Sequence, residues 1–208
     1  FGGLFSARKG EKQYNFAITL DMVIKTVDKK GKGDPLDMKM HYNRDSAYVG
    51  AEVESAFNIM DFTTMKNYTI MGGNVTTMDL EKLIEKAEKF DKDDDDISPE
   101  DYDFKKTGKT ETIAGYLCEE YKVETDDMKS TYYISNDIQI NMQAYKKSFS
   151  TNPNLTMPGD ANGVILKMIV ESVEDGTVTT METKEVVMKD ISYDLSKYKV
   201  TDLSRFGF

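Results

Sequence analysis

From Tyr14 onward the even positions read Tyr14, Phe16, Ile18, Leu20, Met22 and Ile24, while Asn15, Thr19, Asp21 and Lys25 stand among the odd ones. Successive side chains of a strand point to opposite faces, so this period-2 pattern predicts one long, half-buried antiparallel strand. Glycine and proline in "DKKGKGDP" break the pattern, which resumes with Met38, Met40 and Tyr42 set against Asp37, Lys39, His41 and Asn43. The two runs read as a hairpin with a floppy tip. In matching antiparallel register, Phe16, Ile18, Leu20 and Met22 merge with Met38, Met40 and Tyr42 into one apolar surface, and these seven are the expected ligand-binding residues.

Short strand candidates follow in "SAYVGAEVE", "AFNIMDF" and "YTIMG", the last two joined by a tight reversal at "TTMKN". The C-terminal third holds the clearest hairpin, "GVILKMIVESVE" turning at Asp175-Gly176 into "TVTTMETKEVVMKDI". Helical spacing is confined to two places. Leu80, Leu83, Ile84, Ala87 and Phe90 form a stripe behind an Asp79 cap, and Ile138, Met142, Tyr145 and Phe149 form another behind Asn136 or Asp137. In "TETIAGYLCEEYKVET" a strand arrives, Gly115 interrupts it at a sharp bend or bulge, and a new strand departs with Leu117, Tyr121 and Val123 on one face.

A chain of 208 residues suits one domain, 1–208, better than two small ones. Residues 1–13 read as an N-terminal tail and 91–101 as a mobile acidic connector. The connector is no EF-hand, because a loop starting at Asp91 places Asp96 where glycine belongs and Tyr102 where the bidentate glutamate belongs. A net charge of −10 repels phosphates, so neither nucleic acid nor an anionic lipid headgroup is an expected partner. Thirteen methionines and no tryptophan place deformable thioethers in much of the apolar packing. No stretch approaches a membrane span, and a start at Phe1 without a basic or apolar leader reads as a chain whose export signal has been removed.

No catalytic, metal or cofactor constellation stands out. His41, the single histidine, falls on the face opposite Met38 and Met40 and reads as a surface residue, which also prevents "MKMHY" from forming a copper site. Cys118 reads as a partly buried, inert thiol. An enzyme is therefore not expected.

The ordered series "TGKTETIAGYLCEEYKVET", "STYYISNDI", a helix, "MPGDANGVILKM" and "EVVMKDISYDLSKYKV" resembles an uncharacterised group of bacterial envelope proteins, itself similar to the LolA-like lipoprotein-carrier superfamily. The motif residues are Gly108, Ile113, Gly115, Tyr116 and Cys118, then Tyr132-Tyr133, with Asn58 to Met71 matching a Met-rich return strand. The resemblance implies an α+β, mainly antiparallel fold, a curved incomplete β-barrel with helices covering its concave face. It implies an exported protein, periplasmic or outer-membrane associated. The carriers' strand arginine has only Arg8, Arg44 and Arg205 as counterparts, none in a matching phrase. The expected function is a non-catalytic envelope protein that binds a hydrophobic or amphipathic ligand, a lipid or acylated molecule, with an envelope protein as a further partner. The alternative is a structural or protein-interaction module with a filled core and no small ligand.

Overall fold

The computed structural model describes residues 13–83, 103–150 and 163–203, except the side chains of 148–150. The expected connector, most of the first helical stripe (Ile84, Ala87, Phe90) and Arg8 and Arg205 lie outside the described residues. The alternating runs become twelve strands: β1 (Gln13–Val27), β2 (Pro35–Tyr42), β3 (Tyr48–Val53), β4 (Ala56–Asp61), β5 (Lys66–Met71), β6 (Asn74–Asp79), β7 (Lys105–Ile113), β8 (Tyr116–Glu124), β9 (Met128–Ser135), β10 (Val164–Ser172), β11 (Val178–Asp194) and β12 (Lys199–Asp202). β1 thus opens inside the expected tail, at Gln13.

All twelve form one sheet in the order β12-β6-β5-β4-β3-β2-β1-β11-β10-β9-β8-β7. It consists of two meanders, β1 to β6 and β7 to β11, joined at the β1–β11 seam. Every pair is antiparallel except β12, which lies parallel to β6. The sheet is curved and not closed, ending at β12 and β7. Its curvature can be read from one contact. Tyr193 of β11 stacks on Phe57 of β4 with ring centroids 4.0 Å apart, although β1, β2 and β3 lie between them in the sheet. A flat sheet would separate the two strands by about 19 Å at ~4.8 Å per step, so this end curls over on itself. The chain then passes from β11 through a 3-10 turn (Leu195–Lys197), capped by Asp194, to β12. That strand was not foreseen.

Both sides of the first meander are consequently buried. One side belongs to a cluster that includes Ile18, Leu20, Met22, Met40, Tyr42 and Val49. The other holds Tyr14, Phe16, Tyr48, Phe57, Ile59, Tyr68 and Ile70. β1 serves both through an irregularity. Its register against β11 shifts between Phe16 and Ile18, where Phe16 pairs with Ile191 but Ile18 with Met188. Two steps along β1 are matched there by three along β11, so the extra residue of the β-bulge lies in β11, and Ala17 and Ile18, which both pack on the first cluster, break the alternation of β1 opposite it. Phe16 is therefore not on the face of Ile18, Leu20 and Met22, which corrects the period-2 expectation.

Helices are few among the described residues. Residues 80–83 begin α1, with Asp79 Oδ1 accepting from Glu81 N at 3.1 Å as the expected cap. α2 (Met142–Ser150) starts later than predicted, because the cap is Asn141, whose Oδ1 accepts from Ala144 N at 3.0 Å. Ile138 and Ile140 enter the core from the irregular segment before the helix. Two turns also differ in their physics. The β1–β2 tip is organised by Asp28 Oδ1, which accepts from Lys30 N and Lys32 N. At the β7–β8 turn Ile113 pairs with Tyr116, leaving Ala114 and Gly115 as a two-residue loop with φ of +50° and +86°. Both residues are left-handed, as in a type I′ hairpin, and nothing lies within 4 Å of a Cβ built on Gly115. Backbone conformation, not a clash or a bulge, requires the glycine. Leu117, opposite Thr112 beside this turn, is exposed, whereas Tyr121 and Val123 further along β8 are buried.

Candidate functional site

The hairpin of β1 and β2 pairs Ile18 with Tyr42, Leu20 with Met40 and Met22 with Met38, so six of the seven expected ligand-binding residues share one surface in the expected register. Phe16, the seventh, packs in the second cluster. The seam extends the surface, since Ile24 pairs with Met181, and Met181 with Met168 of β10. Met60, Met65 and Met142 pack partly buried at its margin. Much of this layer is therefore unbranched thioether.

α2 packs on the layer through Ala144 and Tyr145, and the Tyr145 ring meets Tyr42 edge-on at 5.3 Å. A bulge in β10 between Ile165 and Lys167 offers that helix an anchor. Ile165 N donates to the Tyr145 hydroxyl at 2.7 Å, and the hydroxyl donates to Ile165 O at 3.3 Å. Complete burial pushes the phenol well above its ordinary pKa, so it stays neutral. At the helix start, Asn141 Nδ2 donates to Asp45 O at 2.8 Å and Asn141 N to Asn43 O at 3.4 Å, tying α2 to the β2–β3 loop. Arg44 in that loop reaches Gln139 O at 3.5 Å and Met188 Sδ at 3.8 Å.

The second cluster is built from rings around buried polar groups. Tyr14 donates to Asp61 Oδ2 at 2.9 Å, while Thr63 N and Thr64 N donate to Oδ1. Burial, then the neighbouring Asp61 charge, keeps the Tyr14 phenol far above its usual range. His41 is here, and not at the surface as its position suggested: it is 2% exposed, with Phe16 and Phe57 rings at 5.8 and 5.3 Å. The curl that makes the face opposite Met40 a second core accounts for the correction. Gly50 leaves room for it, because a Cβ there would lie 2.7 Å from Phe57 and 3.2 Å from His41 Cβ.

Thr19 Oγ1 lies 2.9 Å from His41 Nδ1, and Glu52 Oε2 is 3.6 Å from Nε2. A hydroxyl, an imidazole and a carboxylate are thus in line. The second distance exceeds a hydrogen bond and the Thr19 hydroxyl is buried, so the set offers no nucleophile to a substrate. Cys118 is fully buried, and burial pushes its thiol up to about 11, the inert state expected for it. Glu120 is a buried acid that sequence reading passed over. Burial opposes its charge, but the Tyr133 and Thr107 hydroxyls each donate to it at 2.9 Å and hold its carboxyl below the usual range. Among the described residues no group of three or more His, Cys, Asp or Glu is placed to hold a metal ion. Among the same residues no helix is long and apolar enough to cross a membrane.

Comparison with solved structures gives likenesses at low identity. PNGF-II shares 15% identity at a TM-score of 0.46 over 89% of this chain, which spans only 31% of that protein. A LolA superfamily protein from Nitrosomonas europaea shares 9% identity at a TM-score of 0.36, covering 89% of this chain and 90% of its own. A putative outer membrane lipoprotein-sorting protein domain from Vibrio parahaemolyticus shares 10% identity at 0.34, with coverages of 82% and 84%. No curated protein matches the sequence. The family model of a domain of unknown function, DUF4412, matches residues 22–197, from within β1 to the turn after β11, and the chain belongs to that family.

Proposed function

We propose that the chain is a non-catalytic module of the bacterial envelope that takes up a hydrophobic or amphipathic ligand, an acyl chain first, in the layer lined by Ile18, Leu20, Met22, Met38, Met40 and Tyr42. One observation carries the reading: the β1–β2 ladder forms a single face with a methionine-rich surround, including Met168, Met181, Met60, Met65 and Met142. Unbranched thioethers repack at low cost, so such a layer admits a guest by rearranging its own side chains. Met38 and Met142 pack half-buried against the layer. Helices covering the concave face would complete the enclosure. An envelope location follows from the sequence resemblance.

A second reading is favoured by packing. Ile18, Leu20 and Met22 are each no more than 1% exposed with no guest present, as in a filled core, and the chain would then be a structural or protein-interaction module. Titration with a fluorescent fatty acid, with native mass spectrometry of the purified protein, separates the two. Acyl uptake predicts saturable binding that Met40→Trp weakens at little cost in stability. A filled core predicts no saturable binding and a loss of about 1 to 3 kcal/mol in Met40→Trp from overpacking.

A further inference from the structure

Among the described residues, the hydroxyls of Thr183 and Ser130 stand in the apolar layer with no hydrogen-bond partner. Thr183 of β11 pairs directly with Met22 and lies two residues from Met181, with regular register between them, so its side chain points into the methionine face. Ser130 of β9 pairs with Val123 and Val170, both packed on the same cluster, and alternates with the buried Tyr132 and Ile134. Thr183 is 1% exposed and Ser130 3%, and neither side-chain oxygen has a hydrogen-bond partner among the described residues. A buried hydroxyl left unsatisfied opposes folding, whereas valine or alanine would fill either place without that cost.

We propose that Thr183, with Ser130 as a second point further along the layer, is a specificity determinant for an acyl ligand carrying a hydroxyl or ester oxygen within its apolar length. This deepens the acyl-binding reading above and rests on it. A plain hydrocarbon chain leaves both hydroxyls unpaired on binding, while a mid-chain oxygen supplies the missing partner deep in the layer, where water does not compete. A headgroup oxygen cannot serve, because it would have to follow the chain into the methionine face. Thr183 can donate to an ester carbonyl or exchange hydrogen bonds with a hydroxyl, so the ligand class is set by an oxygen's position and not by its charge.

The experiment compares 12-hydroxystearate with stearate as ligands for the wild type, Thr183→Val, Thr183→Ser and Ser130→Ala, with thermal unfolding of each ligand-free protein. The wild type should prefer the hydroxylated acid by about five-fold, the worth of one net hydrogen bond. Thr183→Val should abolish that preference and raise Tm by about 2 to 4 °C. Thr183→Ser should keep the preference. If both acids bind but Thr183→Val leaves the preference intact or lowers Tm, the hydroxyl has another purpose and the inference is overturned while acyl binding stands. If neither acid binds, the acyl reading fails and the inference with it.

Discussion

The two buried layers on either side of β1 differ in material. The first is built of aliphatic and thioether side chains, with Met22, Met40, Met168 and Met181 fully buried and a margin of half-buried methionines. The second is built of rings: Tyr14, Phe16, Tyr48, Phe57 and Tyr68 meet edge-on, tilted or stacked around Asp61 and His41. Aromatic contacts demand particular angles and the buried polar groups demand particular partners, so this layer has one arrangement. Methionine demands neither. One layer can hold the curl rigid while the other stays deformable, and the break in alternation at Ala17 and Ile18 lets a single strand contribute to both.

The sharpest way to break this comparison is to shave one side chain from each layer. Phe57→Ala should cost about 3 to 5 kcal/mol, whereas Met40→Leu, a volume-conserving change, should cost less than about 1.5 kcal/mol. Denaturant midpoints give both, and equal losses would mean that the layers do not differ in tolerance. Next in size is Gly115→Val, which forces a β-branched residue into φ of +86° and should destabilise by about 1 to 3 kcal/mol. Because that turn lies outside the ring layer, its effect should add to that of Phe57→Ala; marked non-additivity would show the hairpin and the curl to be one cooperative unit.

A gradual effect comes from His41. Burial lowers its pKa from the ordinary value, with Glu52 opposing that shift and Lys39 adding to it. The unfolded chain therefore takes up the proton first. The ring layer should keep its full stability above about pH 6.5, the unfolded value, and lose it progressively as the pH falls below that towards the folded value. His41→Gln should flatten the slope of unfolding free energy between about pH 7 and 5. A slope that survives the substitution would assign the acid sensitivity to other groups.

Hydrophobic alternation in the sequence carried β1, β2 and the face they share, because each contributes residues to the methionine layer at every second position. The same alternation concealed the break at Ala17 and Ile18. Tyr14 and Phe16 continue the even-numbered run although they face the opposite layer, and a pattern of apolar residues cannot distinguish two cores from one. His41 was misplaced for the same reason, since polar neighbours such as Lys39 suggested a solvent face. α2 starts late because Asn136, Asp137 and Asn141 are all competent caps and only the burial of Ile138 and Ile140 ahead of the helix selects the last. β12 is four residues, "KVTD", with no alternation of its own, and is a strand only because the curl brings β6 beside it. Of the candidate site, the ladder was legible. The partnerless hydroxyls of Thr183 and Ser130 were not, because satisfaction of a hydroxyl is a property of neighbours brought together by folding.

The β1–β11 seam also governs the order in which the molecule can be made. Gln13 pairs with Asp194 and Val27 with Val178, so the centre of the sheet joins the first described strand to one near the end of the chain. Each meander can close hairpins locally, but the seam must wait for both and bears the loop-closure entropy of nearly the whole sequence. Ile24 and Met181 pair only across it. During synthesis the methionine face of β1 and β2 is therefore made first and covered last, which leaves it exposed to aggregation for as long as β11 is missing. A chain cut before β11 should fail through loss of solubility before any question of ligand arises.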